Sequence, residues 1–192
     1  MVTSSPKWYS RQGLWSLFLV CAFPLHVWTI LLAFRDFSWI AERTQAWDAI
    51  GVLAYALVFA FVESLVVFLA AILLGLLLPR RWEEGKRIAL LSILVLATAF
   101  WAMLGQLYFL WNLSPPTPAI QFLSQSDHPL RILYAAVLVL VVPTVLVPSY
   151  LVVRSESSTR FILGLIERLS LLASIYLLLD AASLVIVVIR NL

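Results

Sequence analysis

The chain has 192 residues, of which 63% are hydrophobic and only 12% charged, with a formal net charge of +3 and a mean hydropathy of +1.01. Soluble domains run about 45–50% apolar and about 25% charged, so this chain has too little charge to build a polar shell, and lipid must solvate most of its surface. The basic residues are scattered over loop ends rather than gathered on one face, which argues against a nucleic-acid partner.

These numbers predict an all-α integral membrane protein, a single transmembrane helical domain over residues 1–192. Lys7 and Arg11 precede a first apolar run, Leu14–Phe34. The opening resembles a signal peptide. The run is too long for a signal h-region, however, and no small-residue cleavage site follows, so it reads as a retained signal-anchor helix. The single cysteine, Cys21, lies inside it, excludes an intramolecular disulfide and reads as a packing residue.

Next comes Arg35–Asp48, RDFSWIAERTQAWD. Phe37, Ile40, Thr44 and Trp47 fall on one helical face, with Glu42 and Arg43 off it. This pattern predicts a short interfacial helix in the first outer loop. The second apolar run, Ala49–Leu78, would be about 45 Å long at 1.5 Å per residue, against a hydrocarbon core of about 30 Å. Tilt alone does not absorb the excess, so at least one end protrudes.

The third run is Ile88–Trp111. The segment Asn112–Leu130 follows, with SPPTP and then AIQFL. The prolines predict an extended stretch and the apolar residues a return to the membrane surface. Asn112-Leu113-Ser114 fits a glycosylation sequon. The fourth run, Ile132–Val153, contains Pro143 and Pro148, each of which removes a helix hydrogen bond and invites a kink. The fifth is Leu169–Ile189. No internal repeat is visible, and an odd number of spans does not divide into two equal halves.

Five spans with a cytoplasmic N-terminus put nine basic residues inside: Lys7, Arg11, Arg80, Arg81, Lys86, Arg87, Arg154, Arg160 and Arg168. Four fall outside: Arg35, Arg43, Arg131 and Arg190. The positive-inside rule therefore predicts an external C-terminus. Trp8, Trp15 and Trp82 fall near the inner interface of that arrangement, and Trp39, Trp47 and Trp111 near the outer one.

Three ionisable residues stand deep inside these runs: His26 in the first, Glu63 in the second, Asp180 in the fifth. A charge at mid-membrane costs about 2.5–3.5 kcal/mol. Neutralising a glutamate at pH 7 costs about 3.7 kcal/mol, so neighbours decide the charge state. Each of the three shares a helical stripe with small residues. These are Ala22, Thr29 and Ala33 on the first run and Ala56, Ala60, Ala70 and Ala71 on the second. On the fifth they are Ser170, Ala173, Ser174 and Ala181. Small residues mark close helix packing. The stripes predict an inward-facing polar cluster of His26, Glu63 and Asp180, supported by Thr29, Ser64, Ser174 and Thr144. Such a cluster either locks helices together or handles a proton or cation.

The three residues come from separate helices without a local ligand spacing, so no metal site is expected. No nucleotide loop, zinc-protease helix or serine elbow is present, so neither a catalytic residue nor a cofactor is expected. The sequence thus favours a non-enzymatic membrane subunit, in a larger complex or a homo-oligomer, in the plasma (inner) membrane. The alternative is a small proton- or cation-coupled transporter or channel using the midplane acids.

Overall fold

The computed structural model describes residues 9–79, 81–114 and 116–192. Lys7, Trp8 and Arg80, which enter the charge and tryptophan patterns above, lie outside the described residues, as does Pro115 of the SPPTP segment. The described residues form seven helices: α1 (Arg11–Arg35), α2 (Phe37–Arg43), α3 (Ala46–Leu76), α4 (Glu84–Leu110), α5 (Thr117–Ser124), α6 (Pro129–Arg154) and α7 (Glu156–Asn191). Five of them, α1, α3, α4, α6 and α7, are long and apolar enough to cross a membrane. The chain is a polytopic helical membrane protein.

α1 is the hub. Leu17, Val20, Cys21 and Ala22 are wholly buried, and Phe18 and Leu19 nearly so. Six consecutive buried residues occupy every side of a helix, which is how a central helix differs from a peripheral one. Leu17 and Cys21 pack against Ala71 of α3 and Leu91 of α4. Phe18 and Leu19 meet Phe61 and Phe68 of α3 and Ala173 of α7. Val20 meets Ile88 of α4 and Ile166 of α7. α6 stands outside this group and packs on α4 and α7 through Val152.

Polar contacts tie the ends. At one end Ser10 caps α1 by accepting from the Gly13 amide, and its own N–H donates to Glu84 of α4. A Cβ on Gly13 would come within 2.2 Å of Glu84 Oε1, so a side chain there would displace the carboxyl that accepts from Ser10. At the opposite end Arg190, near the close of α7, donates to the Trp47 carbonyl at 2.7 Å and to Asp48 Oδ1 at 2.9 Å. Its guanidinium also lies over the Trp47 ring.

Two local expectations change. The fifth apolar run, placed at Leu169–Ile189, is the latter part of a 36-residue helix. Phe161, Ile162, Leu165 and Ile166 continue the helical spacing, and Ile162 and Ile166 pack on α4 and α1, so the helix does not stop at the polar residues. At 1.5 Å per residue it is about 54 Å long and must extend beyond a 30 Å core. In the second connection, Thr117–Ser124 is helical, with Pro116 at its cap. Proline before or within a first turn starts a helix because the missing N–H has no partner there anyway. α6 remains helical through Pro143 and Pro148. The hydroxyls of Thr144 and Ser149 back-bond to carbonyls within the same stretch. The first connection does contain a short helix, α2, between Arg35 and Asp48.

Candidate functional site

His26 is wholly buried on α1, and Asp180 is 6% exposed on α7. Pro24, two residues before His26, sits inside α1 and leaves the Val20 carbonyl without its helical donor. His26 Nδ1 lies 2.8 Å from the Ala22 carbonyl. A carbonyl only accepts, so Nδ1 carries a proton and donates it. Nε2 lies 2.9 Å from both Asp180 oxygens.

That geometry requires one further proton, shared between Nε2 and the carboxyl. With the proton on Nε2 the pair is imidazolium and carboxylate. With the proton on Asp180, the acid donates to a neutral imidazole. Both forms have zero net charge. Without the proton, a carboxylate faces a nitrogen lone pair in a buried site, which low polarity makes costly. The pair is therefore a one-proton device, held in orientation by Ala22. The Tyr176 ring stacks on His26 at 5.6 Å and 6°, and Phe23 stacks on Tyr176 at 6.3 Å.

Glu63 does not join this pair. It is exposed on α3, and among the described residues none donates a hydrogen bond or ion pair to it. The reason is angular. One residue advances a helix by about 100°. The buried stripe of α3 runs through Ala54, Leu57, Ala60, Ser64, Ala71 and Gly75. Ser64 takes the inward position, bonding to the Ala60 carbonyl at 2.7 Å, and Glu63 is turned off its flank. The predicted three-residue cluster is thus split into a buried His26–Asp180 pair and a separate, open carboxyl.

Glu63 lines a groove of about 880 Å³ with Thr29, Trp28, Val66 and Gln106. A second cavity, of about 330 Å³ and lined by Ala70, Ala71, Thr98, Ala99 and Ala102, shares Leu25 and Val67 with the first. The two adjoin at those residues and are taken together as a trough. α3 and α4 both lean on α1 but pack little on each other, and α1 is the floor between them.

The supporting residues divide similarly. Thr29 is half-buried beside Glu63 in the trough. Thr144 accepts from Trp101 Nε1 at 2.8 Å and so links α6 to α4. Ser174 is exposed and bonds to the Ser170 carbonyl of its own helix. Sequence reasoning missed Tyr176 and the Ala22 carbonyl as partners of His26. Tyr176 stands one helical turn before Asp180, a spacing that could have drawn attention to it. Among the described residues no three His, Cys, Asp or Glu side chains gather closely enough for a metal ion. No family model matches this chain, and no match is found among curated proteins or solved structures.

Proposed function

We propose that this protein is a non-enzymatic membrane subunit that packs against a further membrane helix through the α1–α3–α4 trough, in the plasma membrane, with its N-terminus cytoplasmic and its C-terminus external. The observation that carries this reading is Glu63. It is an ionisable side chain two residues from the midpoint of the apolar helix α3 (46 plus 76, halved, is 61), and it is exposed on a trough wall. Against lipid a charge there costs about 2.5–3.5 kcal/mol, and a covering helix removes that cost. Alanines on the trough walls suit close approach of a helix backbone.

The test is the size of the particle extracted from native membranes in mild detergent. The wild-type chain should migrate as a complex. Ala102→Trp fills the trough from α4 and should release the chain as a monomer. Leu178→Trp, on an α7 position 72% exposed and outside the trough, should not. A wild-type chain that migrates alone, or a complex indifferent to Ala102→Trp, refutes the reading.

A second reading is favoured by one specific observation, the single proton held between His26 and Asp180. A buried group that holds one proton in two neutral arrangements is the kind used in proton relays. Proton flux into vesicles containing the purified chain tests it. Flux abolished by Asp180→Asn supports coupling, and absence of flux in the wild type removes it.

A further inference from the structure

The geometry points to the identity of the trough's occupant: a transmembrane helix of a different protein, bearing a lysine or arginine near its middle that pairs with Glu63. The inference rests on the packing reading above and specifies the partner's chemistry.

Length comes first. On α3 the trough extends from Val52 to Leu74, about 33 Å at 1.5 Å per residue. That matches the full hydrocarbon core of about 30 Å. A lipid tail reaches only half that distance. A lipid seated in the trough would also place its headgroup at one end and its apolar tail beside Glu63. A membrane-spanning helix fills the whole length and brings its own middle to Glu63.

Charge comes second. The trough's charged residues are Glu63 and Asp36, and Asp36 is already paired with Arg35 at 2.7 Å. Among the described residues no cation lines either cavity. Gln106, Thr29 and Thr98 add only neutral polar groups. The unmet requirement is for one cation or strong donor at mid-depth, and a carboxylate takes a basic side chain best.

A second copy of this chain does not meet that requirement. The five apolar runs of this chain, Leu14–Phe34, Ala49–Leu78, Ile88–Trp111, Ile132–Val153 and Leu169–Ile189, contain no lysine or arginine. The histidine within them, His26, is wholly buried and already committed to Asp180. Another molecule of the same protein has no cation to offer at this depth, so the partner is a different chain.

Two synthetic single-span helices of about 20 residues, with identical Leu/Ala sequences and ends, provide the probe. One has lysine at its centre and the other leucine. Each carries a dansyl acceptor and is co-reconstituted with the full chain in phosphatidylcholine vesicles. Energy transfer from the tryptophans, of which Trp28 lines the trough, reports binding. The central-lysine helix should bind about tenfold more tightly than the leucine helix, as a charge-assisted hydrogen bond allows. Glu63→Gln should reduce that preference to under about threefold. Ala102→Trp, which leaves Glu63 in place, should abolish binding of both. Equal binding of the two helices overturns the proposal, as does a lysine preference that survives Glu63→Gln. Transfer between differently labelled copies of the chain that Ala102→Trp removes would identify a second copy instead. Displacement of the lysine helix by a single-chain quaternary ammonium amphiphile at equal concentration would identify a lipid-sized occupant. Either result overturns the proposal. A native complex that depends on the trough, combined with no lysine preference, would sink this inference while leaving the packing reading intact.

Discussion

Removing one member of the His26–Asp180 pair should cost far more than removing both. Asp180→Leu keeps the branching and heavy-atom count of aspartate. It leaves His26 Nε2, wholly buried, without a partner, which costs about 1–3 kcal/mol. His26→Leu leaves Asp180 alone in the middle of a span, which costs about 2.5–3.5 kcal/mol. The double variant leaves neither polar group and should lie close to the wild type in stability, because replacing both partners by apolar groups is nearly neutral. The coupling energy in a double-mutant cycle is then about 3.5–6.5 kcal/mol, the sum of the two singles. The lost stacking of His26 on Tyr176, at 5.6 Å, enters the single and the double variant alike and cancels. Reversible unfolding in mixed micelles, followed by circular dichroism, measures the cycle. Asp180→Asn should be mild, about 1 kcal/mol, because its amide can donate to Nε2. Additive single effects, with a coupling below about 1 kcal/mol, would refute the shared-proton geometry.

Other outcomes follow from other parts of the molecule. Cysteines at Glu83 and Gln125, in the α3–α4 and α5–α6 connections, should differ towards an impermeant thiol reagent in intact cells: Glu83→Cys should be shielded and Gln125→Cys should react, and the opposite pattern would reverse the topology. Arg190→Ala should loosen the α3–α7 end by about 1 kcal/mol, since the contact is partly exposed, and should speed hydrogen exchange in the last turns of α7. Unchanged exchange there would deny the tie its role. Lipids brominated near the headgroups should quench Trp39 of α2 and Trp47 at the start of α3 more than aqueous iodide does; the reverse at Trp39 would place α2 in water. The Tyr9 phenol is held above its ordinary value of 10.0 by burial, with Arg87 opposing and Glu84 reinforcing. The neutral phenol is therefore the form that folding favours, and its stabilising contribution is present below pH 10 and lost as pH rises through the folded value. Alkaline difference spectra of Tyr9→Phe should lose one phenol step lying above pH 10, and an unchanged titration curve would deny the upward shift of Tyr9.

The spans were legible because lipid imposes one rule on every residue of a crossing helix, and a deficit of charge over a long run leaves no other solution. The far boundary of α7 was not. Glu156, Arg160, Glu167 and Arg168 look like the end of an apolar run, yet the apolar residues between them keep helical spacing and pack beyond the expected start. Deep placement of His26 and Asp180 could be read from their surroundings. Their contact could not, because the order of helices in space depends on which stripes meet. Glu63 shows the limit of periodicity most plainly. Ala60, Glu63 and Ser64 all fit a coarse stripe, but 100° separates Glu63 from Ser64, and only packing decides which of the two turns inward. The exposed position of Glu63 is also what motivates its proposed role, since no side chain among the described residues pairs with it and the trough leaves it open to a partner from outside the chain.

The most direct test of the central claim, that a partner helix lies in the trough, is site-specific photocrosslinking in native membranes. A photoreactive phenylalanine analogue at Phe59, a trough-lining position 64% exposed, should yield one discrete adduct heavier than the chain. Its mass should differ from that of a dimer, and the adduct should be lost on adding Ala102→Trp. The same analogue at Leu178 should yield only lipid adducts. Lipid adducts alone from both positions, or a protein adduct from Leu178 and none from Phe59, would contradict the account.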